Sequence, residues 1–146
     1  MPKTDFSGCL SATETMRVPF HDADPANVVW HGRYLKYFEE ARRSLFDDIG
    51  YGYKEMLESG YLWPVVDASL RYVRPLRVDQ RFTVTAALRE WELRIVVEYR
   101  VCDLDGNVLT KGRTVQVPLD AETMELCIGT PELLAQKIEQ RLAREG

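Results

Sequence analysis

The densest polar run in the chain is His21-Asp22-Ala23-Asp24-Pro25-Ala26-Asn27-Val28-Val29-Trp30-His31-Gly32-Arg33-Tyr34. Pro25 holds Asp24 in extended or polyproline geometry and so outside a helix. Asn27 suits a left-handed turn position. Helical periodicity begins at His31, and the first turn of a helix carries unpaired backbone N–H groups at the positive end of its dipole. A carboxylate beside such a terminus is a workable acyl-transfer site: the acid serves as base or nucleophile, and the helix end holds the oxyanion. Asp before a helix is also the ordinary capping residue. Residue types and spacing leave both readings open.

Other chemistries lack their residues. There is no G-x-S-x-G nucleophile elbow, no H-E-x-x-H and no Walker sequence. Gly50-Tyr51-Gly52 opens like a dinucleotide-binding run but follows a helix rather than a strand. With only His21 and His31, a serine or cysteine triad has few ways to be built. Cys9, Cys102 and Cys127 are scattered, with no CxxC and no companion histidine cluster, so no metal is expected. Reduced thiols in a reducing compartment are the expectation.

The 146 residues fit one domain, 1–146, and a chain of this size buries roughly 69% of its unfolded surface. Apolar residues make up 45% and charged residues 29%, which excludes a disordered or low-complexity protein. The net charge of −4 argues against a general nucleic-acid binder. No run approaches the ~18–20 apolar residues of a membrane span. The N-terminus lacks the apolar core of a signal peptide, so a cytoplasmic location is expected.

The elements that must position the polar run follow from periodicity. Met1 to about Thr13 are polar and expected to be loosely held. Met16 to Phe20 alternate as a short strand carrying Pro19. Tyr34, Phe38, Ala41, Leu45 and Ile49 form the stripe of a helix from about His31 to Ile49, ended by Gly50. Asp47 and Asp48 stand at its C-terminus, where the dipole disfavours acids. A shorter helix is expected over Tyr53–Ser59. Period two then takes over. Val66, Ala68 and Leu70 oppose Asp67, Ser69 and Arg71, and Phe82, Val84, Ala86 and Leu88 alternate in the next strand. Leu93 to Val101 form another strand, Asp105-Gly106-Asn107 a hairpin turn, and Leu109, Val115, Val117 and Leu119 one face of the strand after it. Thr130-Pro131-Glu132 starts a final helix over about 130–145. Only one long apolar helix is available to cover a large antiparallel sheet, which gives an α+β architecture with the sheet curved around that helix.

The run D-A-D-P-A-N-V-V-W-H-G-R-Y-L-x-Y-F-E-E-A-R resembles the hot-dog-fold acyl-CoA thioesterases. The nearest types are the 4-hydroxybenzoyl-CoA thioesterase family and the Tol-Pal-associated acyl-CoA thioesterases. The similarity extends from about Thr15 to about Asp120 and includes Tyr72-x-x-Pro75, Asp79 and Arg89-Glu90-Trp91. It implies a hot-dog fold and hydrolysis of an acyl-CoA thioester without metal or cofactor. Asp24 falls on the family's catalytic carboxylate, with Asp22 the supporting acid. His31 falls on the helix-start N–H that polarises the thioester carbonyl, and its imidazole is a second candidate contribution. Glu39 falls on the acid that reaches the acyl group in the hydroxybenzoyl enzymes. Asn27 stands where the family usually has Gly, and Asn can take the same left-handed geometry. Arg89 and Arg94 flank the Trp91 turn, where the family places cationic CoA contacts, with Lys111 and Arg113 nearby; Glu92 and Leu93 thin that cluster. Trp30, Tyr34 and Trp63 are candidates to line the acyl pocket. Family sites form between subunits, which implies a homodimer or homotetramer. Acyl carrier protein is the alternative carrier, and a non-catalytic acyl-CoA-binding module the alternative function. A hydratase or dehydratase fits Asp24-Pro25 and the distant His31 poorly.

Overall fold

The computed structural model describes residues 6–22, 24–25, 29 and 31–145, and the side chains of all of these except His31 and Glu145. Strand β1 (Ser11–Arg17) is followed by a 3-10 turn at Phe20–Asp22, a second at His31–Arg33, and helix α1 (Tyr34–Ile49). Then come α2 (Tyr53–Glu58), β2 (Tyr61–Leu62), β3 (Val65–Tyr72), β4 (Arg81–Glu90), β5 (Ile95–Asp103), β6 (Val108–Gln116), β7 (Leu119–Asp120) and α3 (Glu132–Glu145). The main sheet is antiparallel in the order β1-β4-β5-β6-β3, and β2 pairs with β7 beyond its end. β1 and β3 are therefore its edges.

Tyr34, Phe38, Ala41, Leu45 and Ile49 are buried, as their spacing requires. Gly50 ends α1 at φ 92°, a left-handed position that costs glycine nothing. Asp48 accepts a hydrogen bond from Arg141 Nε of α3 at 2.9 Å, so a cation from a distant element answers one of the two acids at this C-terminus.

Several boundaries differ from expectation. β1 begins at Ser11, inside the stretch expected to be loose, because Leu10 is buried and Ala12 packs on the core. The strand stops at Arg17, and Phe20 lies in a 3-10 turn. The first turn of the expected long helix, His31–Arg33, is 3-10 rather than α. Leu93 is exposed in the β4–β5 turn, and α2 and α3 are trimmed at their ends.

The largest difference is the parity of β6. Tyr99, Val97 and Val101, all core residues, lie opposite Gly112, Thr114 and Thr110. The polar or small set Thr110, Gly112, Thr114 and Gln116 thus faces α1. Val115 instead pairs with Val96 on the other face. Two contacts explain this. The Phe38 ring lies 4.3 Å from that of Tyr99, stacked at 5°, and it occupies the place a side chain at 112 would take. The Tyr99 hydroxyl lies 2.8 Å from Thr114 Oγ1. Gly112→Ala should therefore force Phe38 off its position and cost about 1–3 kcal/mol, read as a lower urea midpoint at unchanged m-value. A neutral result would mean that the ring is free to move.

Candidate active site

The segment between β1 and α1 is tied down at two points. At the first, Asp22 is 2% exposed, and its Oδ2 accepts a hydrogen bond from Tyr37 Oη of α1 at 2.6 Å. Arg33 Nε and His21 Nε2 lie 3.6 and 3.5 Å from the other carboxylate oxygen, Oδ1, which receives no hydrogen bond. Burial, then the Asp22 carboxylate, push the Tyr37 phenol far above its ordinary value, so it stays a donor. At the second point, the Val29 amide donates to the Leu76 carbonyl at 2.7 Å. The Leu76 amide donates to Tyr34 Oη at 3.2 Å, which locks the stretch after β3 onto the first turn of α1. Asp24 and Pro25 lie between these anchors, and Asp24 is only partly buried. One acid of the pair is thus a structural post, and the other is left with access.

An open cleft of about 460 Å³ lies beside the second anchor, lined by Val29, Tyr34, Tyr72, Val73, Arg74 and Pro75. Tyr34 meets Tyr72 edge-on at 5.1 Å and Tyr37 at 6.0 Å, so an aromatic wall joins the cleft to the Asp22 post. The Tyr72-x-x-Pro75 stretch seen in the sequence is this wall. The N–H groups of the His31–Arg33 turn begin the helix at the same place. Tyr34 is thus brought to the cleft. Asn27 and Trp30 lie outside the described residues, as does the His31 imidazole. Trp63 is buried, and its indole Nε1 donates to Tyr51 Oη at 3.1 Å in the core near α2.

Glu39 lines a different pocket of about 330 Å³ on the flank of α1, together with Phe46, Met56 and Gln116. The two arginines assigned to CoA are both engaged. Arg89 side-chain exposure is 17%; it pairs with Glu98 and contacts Cys9 Sγ at 3.1 Å on the sheet face away from α1. Arg94 Nε pairs with Glu90 at 3.3 Å. Among the described residues no group of His, Cys, Asp and Glu is arranged to hold a metal ion. The residues that sequence reasoning passed over are Tyr37, which reads as one more helical aromatic, and Gln116, which sits on the face taken as polar.

Residues 18–138 match the family model of the thioesterase-like superfamily. The 4-hydroxybenzoyl-CoA thioesterase of Pseudomonas sp. is 28% identical over 60% of this chain and 64% of that protein. The acyl-CoA thioester hydrolase YbgC of Escherichia coli is 20% identical over 75% of this chain and 83% of its own length. A DHNA-CoA thioesterase structure from Staphylococcus aureus superposes with a TM-score of 0.77 at 19% identity, covering 93% of this chain and 95% of that one. The sheet order, with α1 packed against the sheet, is that of the hot-dog α+β fold, and the chain belongs to the thioesterase-like superfamily.

Proposed function

We propose that this protein hydrolyses an acyl-CoA thioester to the free acid and CoA, with Asp24 as the reacting carboxylate and the backbone N–H at His31 as oxyanion donor. The observation that carries the reading is the division of labour in the Asp22–Asp24 pair. Asp22 is sunk against Tyr37 and Arg33, while Asp24 stays accessible between two anchored points at a helix start. Asp24 either takes a proton from water as it attacks the thioester carbon, or attacks that carbon itself to give an anhydride that water then opens. In both routes the carbonyl oxygen becomes anionic at the helix terminus and the thiolate leaves. A pure ligand-binding module has no need of that carboxylate.

The relatives' names support CoA as the carrier. Because Arg89 and Arg94 are already paired, the test should offer both carriers. A panel of acyl-CoA and acyl-carrier-protein thioesters is incubated with the protein, and released thiol and free acid are measured together. Stoichiometric thiol and acid from acyl-CoA support the reading. Binding without release from any thioester would favour the binding module. A cytoplasmic setting is part of the proposal, supported by three unpaired cysteines.

The assembly proposed is a homodimer, alone or as half of a homotetramer, formed through the free edge of β3. That edge exposes Val65, Val66, Tyr72 and the adjoining Val73, and a bare apolar edge invites pairing. Its outer-face residues are Asp67, Ser69 and Arg71, and neither charged one has an ion-pair partner among the described residues. Antiparallel self-pairing centred on Ser69 puts each Asp67 opposite the partner's Arg71. Arg71→Asp should weaken the dimer about tenfold or more, because two attractive cross-strand pairs become repulsive. Adding Asp67→Arg should restore it. Light scattering across a dilution series checks this, and a wild-type chain that is monomeric at micromolar concentration would contradict it.

A further inference from the structure

Lys111 of β6 stands between two arginines. In register it lies directly opposite Arg71 of β3 and Arg100 of β5, on the sheet face away from α1. Side chains at opposed positions start about 5 Å apart, and like charges there repel. The chain has an excess of acids, at net charge −4, yet none of the three cations has an ion-pair partner among the described residues. The β3 dimer gives Arg71 the partner's Asp67 and leaves Lys111 facing Arg100. Shallow grooves flank Lys111 on both sides. One, of about 140 Å³, is lined by Arg89, Arg100 and Phe6; the other, of about 250 Å³, by Arg71, Arg113 and Ser69. Lys111 lines both, so five cations surround one acid, Glu98, which Arg89 already holds.

The Phe6 ring stacks with the guanidinium groups of Arg100 and Arg89, at 4.4 and 5.2 Å. Stacking uses the face of a guanidinium and leaves its N–H edge to meet an anion. Grooves of this size hold phosphate groups but not a carboxylate with its peptide backbone, and arginine forks match phosphate oxygens. Two adjoining grooves that share a lysine suit linked anionic groups rather than a single one. We propose that the outer face of β5 and β6 is a binding site for a short phosphate chain, inorganic or carried on a nucleoside, with Lys111 bridging the grooves and Arg100 and Arg113 at either side. Tyr72, the wall of the reaction cleft, alternates with Arg71 and so lies on the opposite face. The phosphate site is therefore separate from that cleft and does not rest on the thioesterase reading.

The test is calorimetric titration of the whole protein with tripolyphosphate, ATP and sulfate. Tripolyphosphate or ATP should bind at one site per chain, about tenfold or more tighter than sulfate, and more weakly as salt rises. The tighter of the two tells an inorganic chain from a nucleoside-borne one. Arg100→Glu and Lys111→Glu should each weaken binding about tenfold or more, while Lys54→Glu on α2, with the same change of net charge, should not. Lys111→Glu also sets an acid between two arginines, so its urea midpoint should rise as binding falls, the mark of a row kept for a ligand rather than for the fold. CoA at equal concentration should displace less than half of the bound phosphate chain. Affinity no better than for sulfate, or binding that survives both row variants, would overturn the proposal. So would full displacement by CoA, which would assign the row to the substrate's own phosphates. Capture on phosphatidylglycerol vesicles that tripolyphosphate does not reverse would make the face a lipid contact and overturn it as well.

Discussion

Asp24→Asn should lower kcat by about 10²- to 10⁴-fold, the usual loss when a positioned acid–base group is removed. The amide keeps the size and most of the hydrogen bonding of the carboxylate, but it cannot act as a base and is a poor nucleophile. The anchors on either side, Tyr37 to Asp22 and Val29 to Leu76, do not involve residue 24, so the loop should keep its path. KM should stay similar or fall. Steady-state thiol release, with circular dichroism and light scattering as controls, reads the effect. Near wild-type turnover would remove Asp24 from the reaction.

Tyr37→Phe should give the largest effect on stability. It deletes one hydroxyl and leaves the Asp22 carboxylate, almost wholly buried, without its hydrogen-bond donor. Stranding a buried charged acceptor costs about 3 kcal/mol or more, at or beyond the upper end of the range for neutral groups. Activity should fall as well, by up to about 10²-fold, because the freed loop no longer holds Asp24 in place. The double variant with Asp22→Asn should recover part of the stability, since the stranded charge is gone, and that non-additivity shows the pair acting together. There is a pH signature too. The folded phenol titrates above the 10.0 of the unfolded chain, so the stability it contributes is complete below that pH and is lost as pH rises past it. Urea midpoints of wild type should drop above about pH 10 more steeply than those of Tyr37→Phe.

Much of the architecture was legible because it rests on strong periodicity. The α1 stripe, the Asp105-Gly106-Asn107 turn between β5 and β6, and the alternation of β4 all appear where the pattern put them. The polar run before α1 was legible as the candidate site for the same reason: proline and paired acids ahead of an apolar helix leave few local structures open. What stayed hidden depends on tertiary contacts. β6 carries valines on one parity and Thr110, Gly112, Thr114 and Gln116 on the other, and a hydrophobicity pattern favours the valines. The actual choice is made by Phe38, whose ring needs the space at Gly112, and by Tyr99, whose hydroxyl needs Thr114. The regular small-and-polar alternation over 110–116 was the signal available. The buried partner of Asp22 was hidden likewise, since nothing local distinguishes Tyr37 from Tyr34. The engagement of Arg89 was hidden too: strand parity turns it to the outer face and Glu98 holds it there.

The central claim is that thioester hydrolysis turns over at the start of α1. The most direct measurement is the number of CoA thiols released per chain with time, from the best thioester of the panel in excess. The account predicts many equivalents per chain, with an equal yield of free acid and near-complete loss in Asp24→Asn. One equivalent or none per chain, with tight retention of intact acyl-CoA, would contradict it and make the protein a binder of acyl-CoA.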